Sequence, residues 1–398
     1  MIDLRTFMKN KIVIGLERLI ADPPEYLRGK RLGLLSNPAS VDNEFNHASA
    51  IIHRFFPGQL KALFSPQHGF YAEKQDNMIE SNHFMEPQLN VPVFSLYNDT
   101  RIPTREMFDL IDVLLVDIQD VGTRVYTFIY TISYCLELAA KLKKKIVILD
   151  RPNPIGGTQI EGNILSGNLA SFVGRFPIPM RHGLTIGEIS QFFNQEFHLE
   201  CDLTIIPMKG WKRQMYWQDT GLFWIAPSPN LPTPQSCMVY PGQVIFEGTN
   251  ISEGRGTTLP FELFGAPFLD NKKIKAEADK LIKGAFLRPA NFEPTSGKWQ
   301  GRICRGFQIH VTSKKEFKPY LSSLILMQLI IKYHQNDFKF KEPPYEYEFE
   351  RMPIDLILGS KTLRKKLTSL KDLTGLSNQW QKELKNFKSI SGKYHLYE

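Results

Sequence analysis

Five short, almost unbroken apolar runs punctuate the first 150 positions: Arg31–Ser36 (RLGLLS), Leu60–Ser65 (LKALFS), Val91–Leu96 (VPVFSL), Asp112–Ile118 (DVLLVDI) and Lys145–Asp150 (KIVILD). A half-exposed strand alternates apolar and polar residues, so runs apolar throughout fit strands buried on both faces, as in a parallel sheet. Parallel neighbours need crossover segments, usually helical. Asn46–Phe56 and Thr104–Leu110 can each supply one, and Thr127–Leu142 carries Phe128, Ile132, Cys135, Leu136, Ala139 and Leu142 at helical spacing. The alternation predicts an α/β fold built on a Rossmann-like parallel sheet.

After Asp150 the pattern loosens. Arg151–Gly157 (RPNPIGG) is a loop, and Thr185 with Glu188 marks a helix start in capping-box spacing. Ala226–Pro234 (APSPNLPTP) and Glu247–Thr258 (EGTNISEGRGTT) read as proline-rich and glycine-rich loops lining a cleft. From Phe261 the pattern predicts helices near Asp270–Phe286 and Tyr320–His334 and a strand at Arg305–Thr312, a smaller α+β unit. We expect a Rossmann-like catalytic domain over 11–260 and an auxiliary α+β domain over 261–398, in line with a length of 398 residues. The lysine-rich stretch Lys361–Lys393 reads as a basic amphipathic helix docked through Leu363, Leu367, Leu370 and Leu373.

With 42% hydrophobic and 23% charged residues the chain is neither disordered nor collagen-like. Its net charge of +8 favours anionic partners without implying nucleic acid, which we do not expect as a partner. Cys135, Cys201, Cys237 and Cys304 lie tens of residues apart, which suits buried thiols better than zinc or redox motifs. No run approaches the roughly 20 apolar residues of a membrane span, and Glu17 and Arg18 break the apolar stretch Lys11–Ile20, so neither a span nor a signal peptide is expected and the expected location is cytoplasmic.

In open parallel sheets ligands bind outside the carboxyl ends of the strands. Here those ends are polar: Ser36-Asn37, Ser65-Pro66-Gln67-His68-Gly69, Tyr97-Asn98-Asp99, Asp117-Ile118-Gln119-Asp120 and Asp150-Arg151-Pro152-Asn153. Asp117 and Asp150 close buried strands, where a carboxylate must be paired, hydrogen-bonded or protonated; Arg124 and Arg151 are natural partners. Each aspartate reads equally as a catalytic group or as a cap for loop amides. His68 could donate to a substrate oxygen or move a proton near neutrality, or serve as a structural hydrogen-bonder. Trp211, Trp217 and Trp224 could stack on sugars but are better read as core.

The usual cofactor and nucleophile signatures are missing. The first turn, Asn37-Pro38-Ala39-Ser40, has no glycine for a dinucleotide, and there is no GxxxxGK[ST], HExxH or GxSxG. Gly254–Thr258 is a weak phosphate-loop pattern, and Asp117, Asp120, Asp150 and His68 lack diagnostic metal spacing. Neither a metal nor an organic cofactor is expected.

Several segments carry a resemblance: SPQHGF (65–70), VPVFSLY (91–97), DIQDVGTRVYT (117–127), LDRPNPIGG (149–157), SFVG (171–174), RHGLTIGE (181–188), PSPNLPT (227–233) and EGTNISEGRGTTLPFELFGAP (247–267). Over nearly its whole length the chain resembles the NamZ-type exo-β-N-acetylmuramidases, bacterial glycoside hydrolases that remove terminal N-acetylmuramic acid from peptidoglycan fragments. The resemblance implies an active site between a Rossmann-like and a C-terminal domain. It also implies a peptidoglycan-derived substrate such as MurNAc–GlcNAc or a muropeptide. The lactyl carboxylate needs a cation, for which Arg124, Arg151, Arg181 and Arg255 are the motif-borne candidates. Asn37, Gln119, Asp150, Asn153, His182 and Asn230 complete the expected binding set.

One position departs from the pattern. The resemblance implies glutamate in a PEHG motif as catalytic acid, where this chain has Pro66-Gln67-His68-Gly69. An amide cannot protonate a leaving oxygen, which glycoside hydrolysis requires. Glu73 and Glu80, in the same loop, are the expected substitutes, with Asp117 stabilising oxocarbenium-like charge and Tyr126 and His68 orienting the sugar. The substrate's N-acetyl group could serve as nucleophile. The alternative is a catalytically weakened muropeptide-binding protein.

Overall fold

The computed structural model describes residues 12–75, 79–98, 100–370, 373 and 375–398, so Asp99 and Lys11 of the readings above lie outside it. The first half builds a seven-stranded sheet in the order β3-β4-β2-β1-β5-β6-β7. Its strands are β1 (Leu32–Ser36), β2 (Leu60–Ser65), β3 (Phe84–Glu86), β4 (Val91–Ser95), β5 (Val113–Asp117), β6 (Lys145–Leu149) and β7 (Asp202–Ile206). All neighbours pair in parallel except the short edge strand β3, which runs antiparallel to β4. Each apolar run anticipated from sequence is a strand, trimmed by a residue or so at its ends. β1 and β5 at the centre are buried at every residue. β7 escaped the sequence reading because an edge strand half open to solvent, beginning at exposed Asp202, lacks the apolar run of a central one.

Helix α1 (Gly15–Ala21) precedes β1, and the crossover helices are α2 (Ala48–Phe55), α3 (Arg105–Asp109), α4 (Phe128–Lys141) and α5 (Ile186–Glu196). α5 starts at the anticipated capping box: Thr185 accepts from the Glu188 amide and the Glu188 carboxylate accepts from the Thr185 amide.

The proline-rich segment leads into α6 (Pro234–Gln243). A second, antiparallel sheet follows in the order β8-β10-β9, formed by β8 (Leu263–Ala266), β9 (Ala285–Phe292) and β10 (Cys304–Val311). The helix expected over Asp270–Phe286 stops early, as α7 (Asn271–Leu281), because its last residues turn at Gly284 (φ 72°) into β9. The apolar α8 (Pro319–Tyr333) is buried nearly all round between α6 and α7. At Gly242, α6 passes so close that a Cβ would lie 2.0 Å from the Pro319 carbonyl oxygen, so only glycine fits there.

Short α9 (Pro353–Leu358) leads to the basic segment, which is two helices, α10 (Lys361–Thr368) and α11 (Leu376–Ser391), rather than one. Leu363, Leu367 and Leu373 dock as expected, but Leu370 adopts a left-handed φ of 51° and stays exposed. All four cysteines are buried and free. Trp211 and Trp217 are buried too, the latter edge-on to Trp224 with centroids 4.8 Å apart. Among the described residues no helix is long and apolar enough to cross a membrane.

Candidate active site

At the carboxyl end of β2 the chain turns sharply, with left-handed backbone at His68 (φ 80°) and Gly69 (φ 88°). The turn holds Gln67 and His68 against the segment after β5 and against two distant loops. Together they line a pocket with Tyr126, Thr127, Ser228, Asn230, Tyr240, Glu247, Arg255, Tyr345 and Glu346. Its enclosed space is about 30 Å³, and it shares Asn230 and Arg255 with a broader groove of about 610 Å³ along Thr257, Thr258, Thr295 and Ser296. The former is water-sized; the latter is ligand-sized.

Two buried carboxylates in this pocket are treated in opposite ways. Glu247 receives Nη2 of Arg255 at 2.7 Å and the Tyr345 hydroxyl at 2.6 Å. Burial alone would push its carboxyl up, but Arg255, Tyr345 and the nearby Lys298 outweigh that and hold it below the ordinary glutamate value. Glu346 has no cation within ion-pair distance among the described residues. Its partners are neutral: Tyr97 Oη donates to Oε2 at 2.6 Å and Gln67 Nε2 to Oε1 at 3.1 Å. Burial pushes its carboxyl above the usual range, further raised by the Glu247 charge and only partly offset by these bonds and by Arg255. Glu346 (φ 47°) and Tyr347 (φ 63°) both have left-handed backbone, costly for non-glycine residues and tolerated where the surroundings fix the position.

Gln67 is fixed at both ends, its Oε1 accepting from Thr127 Oγ1 at 2.9 Å. His68 Nδ1 must carry a hydrogen, because it lies 2.9 Å from the Lys74 carbonyl oxygen, which can only accept. Burial lowers its pKa to about 4, so at neutral pH the ring is neutral and Nε2 is an acceptor. In that state Nε2 can take up a proton but has none to give, which bears on the direction of any proton transfer at His68. Burial raises the Tyr126 phenol well above its ordinary value, and the ring stands edge-on to Tyr240. Asn230 Nδ2 donates to the Gln75 carbonyl at 2.8 Å, tying the 68–75 loop to the proline-rich loop.

Other candidates lie outside this pocket lining. Glu73 and Glu80 are exposed; Glu80 accepts from Tyr347 Oη at 3.1 Å and lies 3.7 Å from Arg101. Asp117 is fully buried and its carboxylate is taken up by Arg151, whose Nη2 lies 2.8 Å from Oδ2. Arg124 spends its guanidinium on four backbone carbonyls, of Asn163, Ile178, Ile357 and Leu358. Arg181 serves Gln159 and the Ile155 carbonyl. Of the four cations expected to meet a lactyl carboxylate, Arg255 alone lines the pocket, already shared between Glu247 and, at 3.3 Å, Glu253.

The remaining strand-end residues brace loops. Asn37 Nδ2 donates to the Gln119 carbonyl, Gln119 Nε2 to those of Asp120 and Pro152, and Asn153 Nδ2 to that of Leu184. His182 Nδ1 accepts from the Leu184 amide. Asp150 accepts from the amides of Arg151 and Gly187 and from the Thr185 hydroxyl at the start of α5; burial raises its pKa to about 7. Sequence reasoning missed Glu346, Tyr345 and Tyr240 and quoted Glu247 without singling it out. Lys341–Glu350 (KEPPYEYEFE) reads as a solvated charged stretch, and its one signal was glutamate set between tyrosines after a proline pair.

Comparison with known proteins agrees with this architecture. Residues 32–235 match the family model described as exo-β-N-acetylmuramidase NamZ, N-terminal, and residues 238–397 match its C-terminal counterpart. Over 394 residues the chain is 41% identical to the peptidoglycan β-N-acetylmuramidase NamZ of Bacillus subtilis, covering 99% of this chain and 93% of that protein. Two crystal structures of DUF1343 family proteins from Bacteroides fragilis share the fold. One has a TM-score of 0.87 at 34% identity, covering 98% of this chain and all of that one. The other has a TM-score of 0.77 at 30% identity, covering 98% and 99%. The two family models between them account for both halves of the chain, which belongs to the NamZ exo-β-N-acetylmuramidase family.

Proposed function

We propose that this chain is a glycoside hydrolase that releases N-acetylmuramic acid from the non-reducing ends of peptidoglycan fragments in the cytoplasm. The observation that carries the reading is the family match along the whole chain, at 41% identity to the B. subtilis β-N-acetylmuramidase. The pocket supports it chemically. Glycoside hydrolysis uses a protonated acid on the leaving oxygen and a second group to stabilise or capture the sugar cation. Two carboxyl groups whose surroundings drive their pKa values apart meet that need, and Glu346 and Glu247 are such a pair.

The groove along Thr257, Thr258 and Ser296 is the space open to a saccharide, with the bond to be broken brought to its junction with the pocket at Asn230 and Arg255. Because the pocket is water-sized, the 68–75 loop must give way for the terminal sugar to enter. Arg255 and Asn230 are the sequence-derived binding residues this arrangement retains, with Tyr126 and His68 as the sugar-orienting ones.

Release of free N-acetylmuramic acid from purified MurNAc–GlcNAc tests the reading; a chain that leaves the disaccharide intact across pH 4–9 lacks the activity. Gln67 favours one second reading, a muropeptide-binding protein of weakened catalysis. Calorimetric binding of the disaccharide without turnover is the result that would select it.

A further inference from the structure

Of the groups around the pocket, Glu346 occupies a place that none of the motif-borne candidates fills. It comes from a loop 279 positions away from Gln67, yet the two side chains are in direct hydrogen-bond contact at 3.1 Å. A glutamic acid needs two things to protonate a leaving oxygen: a position in the substrate pocket and surroundings that keep it neutral until the bond breaks. Glu346 lines the pocket, is buried, and is flanked by the Tyr97 hydroxyl and the Gln67 amide rather than by a cation. Its backbone is locked in the left-handed region, so the carboxyl is held in place by the fold. Glu247, by contrast, is bound to Arg255 and cannot hold a proton without giving up that ion pair.

We propose that Glu346 donates the proton to the departing glycosidic oxygen in this chain, the task that the adjacent Gln67 cannot perform. The inference rests on the hydrolase reading and assigns its acid. In the step, the bond from the anomeric carbon to the leaving oxygen breaks with its electron pair on that oxygen, which takes the Glu346 proton. A water oxygen bonds to the anomeric carbon, directly or after transient attack by the substrate's own acetamido oxygen. On the acetamido route the proton that water sheds restores the Glu346 carboxyl directly; on the direct route it leaves to solvent from the opposite face, and Glu346 is reprotonated from solvent. Gln67 becomes a positioning residue, its amide donating to the carboxyl oxygen Oε1 while Thr127 holds its other end.

The test uses two substrates that differ in their need for the acid: MurNAc–GlcNAc, whose leaving alcohol must be protonated, and 4-nitrophenyl β-N-acetylmuraminide, whose leaving phenolate need not be. Glu346→Gln is expected to lower kcat/KM on the disaccharide by about a hundredfold or more, to cost less than about tenfold on the aryl glycoside, and to flatten the alkaline limb of the pH profile. The other ionisable groups facing Glu346 are His68, Tyr97, Tyr240, Glu247, Arg255 and Tyr345, so the same limb is recorded in Tyr97→Phe and in Tyr240→Phe and must persist in both.

The double variant Gln67→Glu/Glu346→Gln moves the acid to the other side of the hydrogen bond, and is expected to recover at least tenfold on the disaccharide over Glu346→Gln. It also controls for misfolding, since a variant that merely unfolds is not rescued by a second change. Equal losses on both substrates, or no loss on either, would overturn the assignment of Glu346 while leaving the hydrolase intact. A parent chain inert on both substrates overturns the hydrolase reading itself, and the assignment with it.

Discussion

Arg151 closes its guanidinium over the carboxylate of Asp117, Nη2 to Oδ2 at 2.8 Å, with both side chains sealed from solvent at the carboxyl end of β5. Besides Nη2 to Oδ2, Arg151 Nε donates to Oδ1 of Asp117, and a third contact, from Nη2 to the Val41 carbonyl at 3.0 Å, pins the loop after β1. Breaking a buried pair strands a charge in the interior, at a cost of about 3–5 kcal/mol. Asp117→Asn is therefore expected to lose stability by that amount in urea unfolding, while the residual folded protein keeps its kcat at low temperature. A variant as stable as the parent but inactive would return Asp117 to a chemical role.

Arg124 makes a comparable structural bond of a different kind. Its four carbonyl contacts reach α9 and the loops around Asn163 and Ile178. At roughly 1 kcal/mol per hydrogen bond, Arg124→Ala is expected to cost about 4 kcal/mol in chemical denaturation. KM of the folded fraction should not change. A raised KM with unaltered stability would instead mark Arg124 as a substrate contact.

The buried imidazole of His68 makes stability depend on pH with a definite sign. Its folded pKa of about 4 lies below the unfolded value of 6.5, so between these limits the unfolded chain binds more protons. Stability contributed by neutral His68 is complete above pH 6.5 and is lost as the pH falls toward 4, up to about 3 kcal/mol. Asp150, with a raised pKa of about 7, acts in the opposite sense: its contribution is complete below pH 4 and is lost as pH rises through 7. The two partly cancel, so the parent's profile is uninformative and the difference between parent and variant is the measurement. His68→Asn suits it, because asparagine tolerates the left-handed backbone; the stability gap between the two proteins should narrow from pH 7 to pH 4. A gap independent of pH contradicts the neutral imidazole.

The Asn230 bond to Gln75 tethers the loop that must yield for a sugar to enter. Two amides in that loop are protected by turns, Ala72 by the Gly69 carbonyl and Lys74 by that of His68. Removing one hydrogen bond of about 1 kcal/mol in Asn230→Ala is expected to speed hydrogen exchange at both amides about fivefold, and to leave exchange in the central sheet untouched. Unchanged rates at Ala72 and Lys74 would show that the tether does not hold the loop.

The central sheet was legible because β1, β2 and β5 repeat one local signal, an apolar run ending in polar residues, and α5 because Thr185 and Glu188 satisfy each other within one turn. The strand-end rule also led to Gln67 and His68, and the family resemblance to Tyr126, all of which line the pocket. At Asn37, Asp117 and Arg151 the same signal marks side chains bonded to neighbouring loops and to each other, because a polar strand end also braces loops. The far wall was illegible. Glu346 is unremarkable among the alternating glutamates and aromatic residues of 345–350, and only the return of the chain from α8 makes it a buried carboxyl. Burial, not residue type, pushes that carboxyl above the usual glutamate range.

The rivet formed by Arg124 bears on how the cleft can be altered. Its guanidinium joins the segment after β5 to the last turn of α9, so prising the wall behind the pocket outward ruptures several bonds at once, while among the described residues the 68–75 and 227–233 loops are joined by the side-chain bond at Asn230. Remodelling aimed at bulkier leaving groups therefore belongs in those two loops, whose geometry can be exchanged without touching the frame that carries them.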